Sequence, residues 1–354
     1  MRQKILTPNI RETTLERRGF PVKDAAAKEL LETVGESFLA GYAHAVGAGS
    51  LAEAEQRLEQ VPARFKGFAY EGAGMGLAVL DCLAFSDLRR TRQFLSGAGD
   101  RHNYMIYVGI GWAMARLPRF LWPSSRRLDP LLLWLVHDGY GFHQAYFHTR
   151  RYVYEQYQEP RFSWPPGYES YAARAIDQGI GRALWFVGGT DVDRVTSLIE
   201  GFPRERRADL YSGTGLAATY AGGAGESELR ELRRRAGEHA PQLAQGSAFA
   251  AEARIRAGLL SPHNELAAHV LCGTSALRAA TLCRETRPAA PEPAAVREPA
   301  AVREPAAVRE PGVAPEPAAV REAGVAPAPG ALPAYETWRA RIADSLHSFG
   351  GVTP

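Results

Sequence analysis

The sequence predicts an all-α fold, an array of helix pairs whose inner helices each carry a Gly-x-Gly. Three observations carry that expectation. Apolar residues recur at helical spacing through most of the first 286 residues, and strand-like alternation is scarce. A Gly-x-Gly returns inside the apolar segments YEGAGMGLAVL (70–80), YVGIGWAMARL (107–117), HDGYGFHQAYF (137–147), DQGIGRALWFV (177–187) and YSGTGLAATYA (211–221). A sixth copy, AQGSAFAAEAR (244–254), keeps only the first glycine. The first glycines, Gly72, Gly109, Gly139, Gly179, Gly213 and Gly246, follow one another at about 30 to 40 residues, the period of helix-pair repeats.

The elements follow in order. The opening MRQKILTPNIRETTLERRGF lacks the apolar core of a signal peptide. KDAAAKELLETVGESFLAGYAHAV (23–46) and SLAEAEQRLEQV (50–61) carry apolar stripes of helical period. Breakers at LPRFLWPSSRRLDP (117–130), EPRFSWPPGYE (159–169), GFPRERR (201–207) and LLSPHNE (259–265) separate the later units. Amphipathic DVDRVTSLIEGF (191–202) and SELRELRRRAGEHA (227–240) precede two of the glycine segments, so each unit reads as an outer helix followed by a glycine-bearing inner one. Glycine costs about 1 kcal/mol relative to alanine inside a helix, so the pair needs a cause. Residues two apart lie about 200° apart around a helix. One glycine then faces each neighbour, and both backbones can approach closely.

From Arg287 the chain changes to a repeated PAAVRE unit. Proline at every turn of the repeat blocks helix and ladder alike, and little apolar mass offsets the entropy of ordering. The expected organisation is a helical repeat domain at 1–286, a disordered Pro/Ala-rich linker at 287–332 and a tail helix at 333–354. Trp338, Ile342 and Leu346 share one face of that tail.

Composition excludes several function classes. A formal charge of +3 over 354 residues gives no footprint for nucleic acid. The arginine runs RRTR (89–92), RERR (204–207) and RELRRRAGEH (230–239) read as solvated helix faces. No run approaches the roughly 18 apolar residues of a membrane span. Three cysteines, Cys82, Cys272 and Cys283, make neither a disulfide framework nor a metal pair, which suits a reducing cytoplasm. His143 and His148 are five apart, pointing about 140° away from each other, so neither metal nor cofactor is expected. GAGMG (72–76) lacks the strand context and the third glycine of a dinucleotide loop.

Aligning the copies on their first glycine singles out residues that repeat packing leaves unexplained. Three positions on stand Met75, Trp112, Phe142, Arg182, Leu216 and Phe249, with an arginine among large apolar residues. Four positions on stand Gly76, Ala113, His143, Ala183, Ala217 and Ala250, with a histidine among small ones. Two positions before stand Tyr70, Tyr107, His137, Asp177, Tyr211 and Ala244; one before stand Glu71, Val108, Asp138, Gln178, Ser212 and Gln245. Equivalent positions of an array line up, so these last two rows form a polar and aromatic stripe. Asp138, His143, Asp177 and Arg182 are the candidate catalytic group. Asp138 or Asp177 would move a proton with His143 as partner, and Arg182 would hold an anionic head. Tyr70, Glu71, Tyr107, Trp112, His137, Phe142, Tyr146, Gln178, Tyr211 and Gln245 are the candidate substrate-binding residues. The aromatic run from Tyr140 to Tyr171 suits a pocket for an elongated apolar or conjugated ligand. A buried Asp177–Arg182 ion pair is the structural alternative.

The motifs YEGAGMGLAVLD, GIGWAMARLPR, DGYGFHQAYF, DQGIGRALWFV, DLYSGTGLAATYAGG and LAQGSAFAAEAR, in this order over about 65–275, and the YETWRARI tail, resemble a bacterial family of unassigned function. Its members occur largely in actinobacterial natural-product clusters, notably beside the iterative polyketide synthases of enediyne biosynthesis. The PAAVRE tract departs from the family pattern as an insertion. The resemblance implies a role in converting a linear polyene to the enediyne core and supplies no catalytic residues. The expected function is acid–base chemistry on a hydrophobic polyene in a central aromatic pocket, beside a polyketide synthase or other pathway enzymes. A metal-independent polyene or isoprenoid cyclase, and a non-catalytic scaffold or intermediate-binding chaperone, are the alternatives.

Overall fold

The computed structural model describes residues 9–160, 162–289 and 332–350, with side chains as far as 347, and among them every regular element is a helix. The body runs through α1 (Ala25–Gly47), α2 (Leu51–Glu59), α3 (Ala63–Leu83), α4 (Arg89–Leu95), α5 (Asn103–Arg116), α6 (Trp134–Phe147) and α7 (Glu169–Val187). It continues through α8 (Val192–Glu200), α9 (Arg204–Ala221), α10 (Glu226–Ala236), α11 (Ala240–Arg256), α12 (Pro262–Cys272) and α13 (Ala276–Glu285), and the tail is α14 (Ala334–Gly350). Most of the linker expected at 287–332 lies outside the described residues. No single helix among the described residues is long and apolar enough to cross a membrane.

Local sequence sets the helix starts. The Asp24 carboxylate accepts the Ala27 N–H at 2.7 Å and opens α1. Asp191 and Ser275 do the same for α8 and α13, and Ser261 with Asn264 forms a reciprocal cap on α12.

The row α1–α3–α5–α6–α7–α9–α11 packs helix against helix in that order, and the glycines explain its closeness. A Cβ on Gly139 would lie 2.0 Å from the Val108 carbonyl oxygen of α5, and one on Gly141 2.1 Å from that of Ile176 in α7. On α7 the corresponding distances are 1.8 Å from Gly179 to Asp138 O and 2.1 Å from Gly181 to Leu210 O. The first glycine faces the preceding inner helix and the second the following one. Neither position admits a side chain.

Two features depart from a regular open array. Outer helices precede α3, α5, α9, α11 and α13, whereas α6 and α7 follow irregular segments, 117–133 and 148–168. Pro118, Pro123 and Pro130 in the first, and Pro160, Pro165 and Pro166 in the second, remove backbone donors, and helical structure there is limited to 3-10 turns at Arg119–Leu121 and Ser125–Arg127 and a π-turn at Arg150–Tyr154. The row also curls. Arg182 of α7 reaches Glu71 of α3 at 3.7 Å. The Tyr220 ring of α9 meets Phe68 of α3 edge to face at 5.2 Å, and Arg254 of α11 donates to the Arg64 carbonyl at 3.0 Å. In an open array each unit would touch its neighbours alone. Here α3 is met by α7, α9 and α11, which encloses the inner face of the row.

The tail helix docks on the body. Tyr335, Trp338, Ile342 and Leu346 are buried, against α11 and α13 among others. The Trp338 indole N–H donates to the Cys283 carbonyl at 2.7 Å, and Arg339 pairs with Asp209 at 2.8 Å.

Candidate functional site

The enclosed face holds two apolar cavities that share Arg182 as a wall residue. The first is a narrow cleft of about 680 Å³, open mouth included, among α1, α3, α5, α6 and α7. Its walls include Phe38, Phe68, Met75, Trp112, Phe142 and Tyr146, with Arg116 exposed at the rim and Glu12 and Thr13 of the N-terminal segment alongside. The second, about 500 Å³ with open solvent counted, lies among α5, α6, α7, α9, α11 and α14. The row three positions after the first glycine lines both: Met75, Trp112 and Phe142 the first, Leu216 and Phe249 the second, and Arg182 each of them.

Arg182 is the cation of a buried acid–arginine–acid cluster. Its Nη1 pairs closely with Asp138 Oδ1, and its Nη2 lies 3.7 Å from Glu71 Oε1. The guanidinium stands over the Phe142 ring at 5.1 Å. Glu71 belongs to the wall of the first cavity and Asp138 to that of the second. Gln178 Nε2 donates to Asp138 Oδ2 at 2.8 Å and also lies 3.2 Å from the Tyr335 hydroxyl of α14. Two carboxyls thus share one guanidinium. Burial pushes the Glu71 carboxyl up to about 7, with Arg182 pulling against it and Asp138 adding to the rise. The Trp112 indole N–H lies near that carboxyl without closing a hydrogen bond to any group.

Glu71, Asp138, Gln178 and Arg182 are therefore brought together, and Trp112, Phe142 and Tyr146 face the same region. The other sequence candidates go elsewhere. The stripe expected from two rows splits, because the row two positions before the glycine turns outward to the loops and outer helices. The Tyr70 hydroxyl donates to Glu59 of α2 at 2.7 Å, and its ring stacks on His102 at 3.7 Å. The Tyr107 hydroxyl accepts the Asp129 N–H at 2.9 Å. His137 is held between the carbonyls of Trp164 and Leu133, and burial lowers its imidazole to about 4. The Tyr211 hydroxyl donates to the Arg235 carbonyl at 3.4 Å.

Asp177 does not pair with Arg182. It takes a two-pronged bond from Arg206, Nε to Oδ2 at 2.9 Å and Nη2 to Oδ1 at 2.5 Å, and Arg206 also donates to the Gln156 carbonyl at 2.8 Å. Arg206 is buried, so the RERR run is not wholly a solvated face. Asp177 and Arg206 line neither cavity. Gln245 joins Ser212 at 2.7 Å and Arg339 at 3.2 Å, on the side covered by α14.

His143 is not the partner of Asp138. Five residues apart on one helix, the two side chains diverge by about 140°. Its ring packs against Trp112 at 5.4 Å and Phe147 at 4.7 Å, lines neither cavity, and burial lowers it to about 3. Nor does Arg182 offer a free cation to an anionic head, since Asp138 and Glu71 already face it.

The aromatic run divides too. Phe142, Tyr146 and Phe147 line the first cavity. Tyr140 and Tyr152 bind Glu159, Phe162 and Trp164 pack on His137, and the Tyr171 hydroxyl donates to Glu336 at 2.8 Å. Sequence reasoning missed Phe38 and Phe68 in the first cavity and Tyr220, Tyr335 and Trp338 in the second. Phe38 and Phe68 lie outside the aligned motif, and no spacing rule places a tail helix beyond a linker.

No curated protein and no solved structure matches the chain. The family model described as "Protein of unknown function (DUF1702)" matches residues 1–305, and the chain belongs to that family.

Proposed function

We propose that the protein acts on a hydrophobic, linear polyene by moving a proton within the first cavity, as a step of enediyne-type polyketide biosynthesis. One observation carries the chemistry: a buried carboxyl, Glu71, raised to about 7 by its surroundings, at the wall of an aromatic-lined cleft. Near neutral pH such a group exists in both forms, so protonated Glu71 can give its proton to one carbon of a conjugated chain, leaving a delocalised cation, and the resulting carboxylate can take a proton from another carbon. Double-bond migration or ring closure follows with no other reactant. Arg182 and Asp138 hold the charge balance beside it, and the faces of Trp112, Phe142, Phe38 and Phe68 would stabilise positive character along the chain. The polyene itself, and a neighbouring polyketide synthase as its supplier, rest on the motif resemblance to enediyne-cluster proteins.

The test is incubation of the purified protein with the polyene that accumulates when its gene is deleted in a producing strain, in H2O and D2O. Turnover is expected to change the chromophore and carry solvent deuterium into carbon, and E71Q is expected to bind the chain but lose at least about 100-fold in rate. A polyene that binds with its absorption and mass unchanged would sink the acid–base reading and leave a carrier that shields the intermediate.

A further inference from the structure

The second cavity has no part in that chemistry, and we propose that it is a separate binding site for a neutral apolar chain, with the tail helix α14 as its completing wall. Its lining includes Met105, Val108, Leu135, Leu216 and Phe249 from the row, and Tyr335 and Trp338 from α14. The charged residues among its walls are already compensated within the protein. Asp138 is paired with Arg182, and Glu252 with Arg284 at 2.7 Å. A charged ligand would enter with no counter-ion, at a desolvation cost that an uncharged chain avoids. The pocket therefore selects for neutral hydrocarbon character.

The tail helix is built to hold this wall rather than to drift over it. Arg339 pairs with Asp209 at 2.8 Å, and Glu336 takes Arg174 at 2.7 Å and the Tyr171 hydroxyl at 2.8 Å. The Tyr335 hydroxyl meets Gln178, the residue that donates to Asp138. The wall of the pocket and the orientation of the shared cluster are thus linked through one side chain. This holds whether or not Glu71 is catalytic.

Contact quenching of tryptophan by brominated chains tests it on the full chain. Titration with 1-bromododecane is expected to quench a fraction of the emission saturably. Bromine quenches only near neighbours, so a probe that also enters the first cavity quenches Trp112, and the part of the quenching that belongs to the second cavity is expected to vanish in W338F and persist in W112F. A253L, which narrows the second cavity from a partly buried wall position, is expected to weaken the Trp338-dependent binding of the neutral probe at least tenfold while circular dichroism stays unchanged. The anionic 12-bromododecanoate is expected to bind at least tenfold more weakly than 1-bromododecane. The proposal is overturned by the absence of saturable quenching, by quenching that W112F removes and W338F spares, by undiminished binding in A253L, or by preference for the anion. None of these readouts depends on turnover, so they stand apart from the fate of the polyene reaction.

Discussion

Helix α7 carries two buried ionic clusters, and they differ in stoichiometry and in what they face. At Asp177 one carboxylate meets one guanidinium, and Arg206 spends its remaining reach on the Gln156 carbonyl, tying the irregular 148–168 segment to the row. At Arg182 one guanidinium serves two carboxyls, and the group stands at the walls of both cavities. A matched pair sealed away from any cavity is an internal tie. An unmatched set leaves one carboxyl near its proton at neutral pH, beside space that a ligand can fill. Burial alone does not separate the two, since it raises Asp177 as well, to about 6 with Arg206 opposing.

Removing either cation should have the largest effect. R182L and R206L each strand buried carboxylate, and each is expected to cost about 3–5 kcal/mol in denaturant unfolding. The comparison separates on a second readout. Arg182 holds Glu71 down, so in R182L the Glu71 carboxyl should titrate above its wild-type value by NMR, while R206L should leave it unmoved. Equal shifts in both variants would mean that the clusters are not distinct.

Next come the glycines that set the α6–α7 contact. Gly179 presses on the carbonyl of Asp138, and Gly141 on that of Ile176, the neighbour of Asp177. Adding a methyl group to either must part the helices, at up to about 3 kcal/mol each. G179A displaces the cluster at the cavities and should weaken apolar-ligand binding. G141A should lower the unfolding midpoint comparably, with a smaller loss of binding.

Replacing the raised carboxyl comes third and should change the pH dependence of stability. The folded value of Glu71, about 7, lies above its ordinary 4.5, so its contribution is whole below about 4.5 and is lost as pH rises to 7. At about 1.4 kcal/mol per pH unit the loss is at most roughly 3.5 kcal/mol. E71Q should therefore gain on the wild type between pH 4.5 and 7 in denaturant midpoints. For Asp177 the same sign applies over a lower window, from 3.8 to about 6. A flat difference between E71Q and wild type across pH 4.5–7 would show that Glu71 is not raised.

These differences mark how far the sequence could be read. Helix type, the glycine pairs and the odd arginine at 182 were legible, because periodicity reports which face of a helix a residue occupies. The row three positions after the glycine was legible as a lining for the same reason, and it does line both cavities. What spacing does not report is the curvature of the row. Glu71 and Arg182 stand on α3 and α7, with α5 and α6 between them in packing order, and they meet because the row curls. The partner of Asp177 was hidden for a similar reason. Arg206 sits in a charge run that resembles a solvated face, yet it is buried against Asp177 of α7, the Phe202 ring and the Gln156 carbonyl.

The smallest expected effect concerns His143, and it tests whether a departure from the repeat implies chemistry. The ring is buried among Trp112 and Phe147, with Nδ1 in a 3.4 Å contact to Gln144 and Nε2 unpartnered. Burial lowers it to about 3, so its contribution to stability is present above about 6.5 and is lost as pH falls toward 3. An apolar ring of similar size keeps the packing and removes that liability. H143F should stay within about 1.5 kcal/mol of the wild type at pH 7, lose less stability between pH 6.5 and 4.5, and turn over substrate at the wild-type rate. If H143F instead keeps its fold and loses turnover as E71Q does, His143 belongs to the proton path despite its distance from Asp138, and the division between packing and chemistry must be redrawn around it.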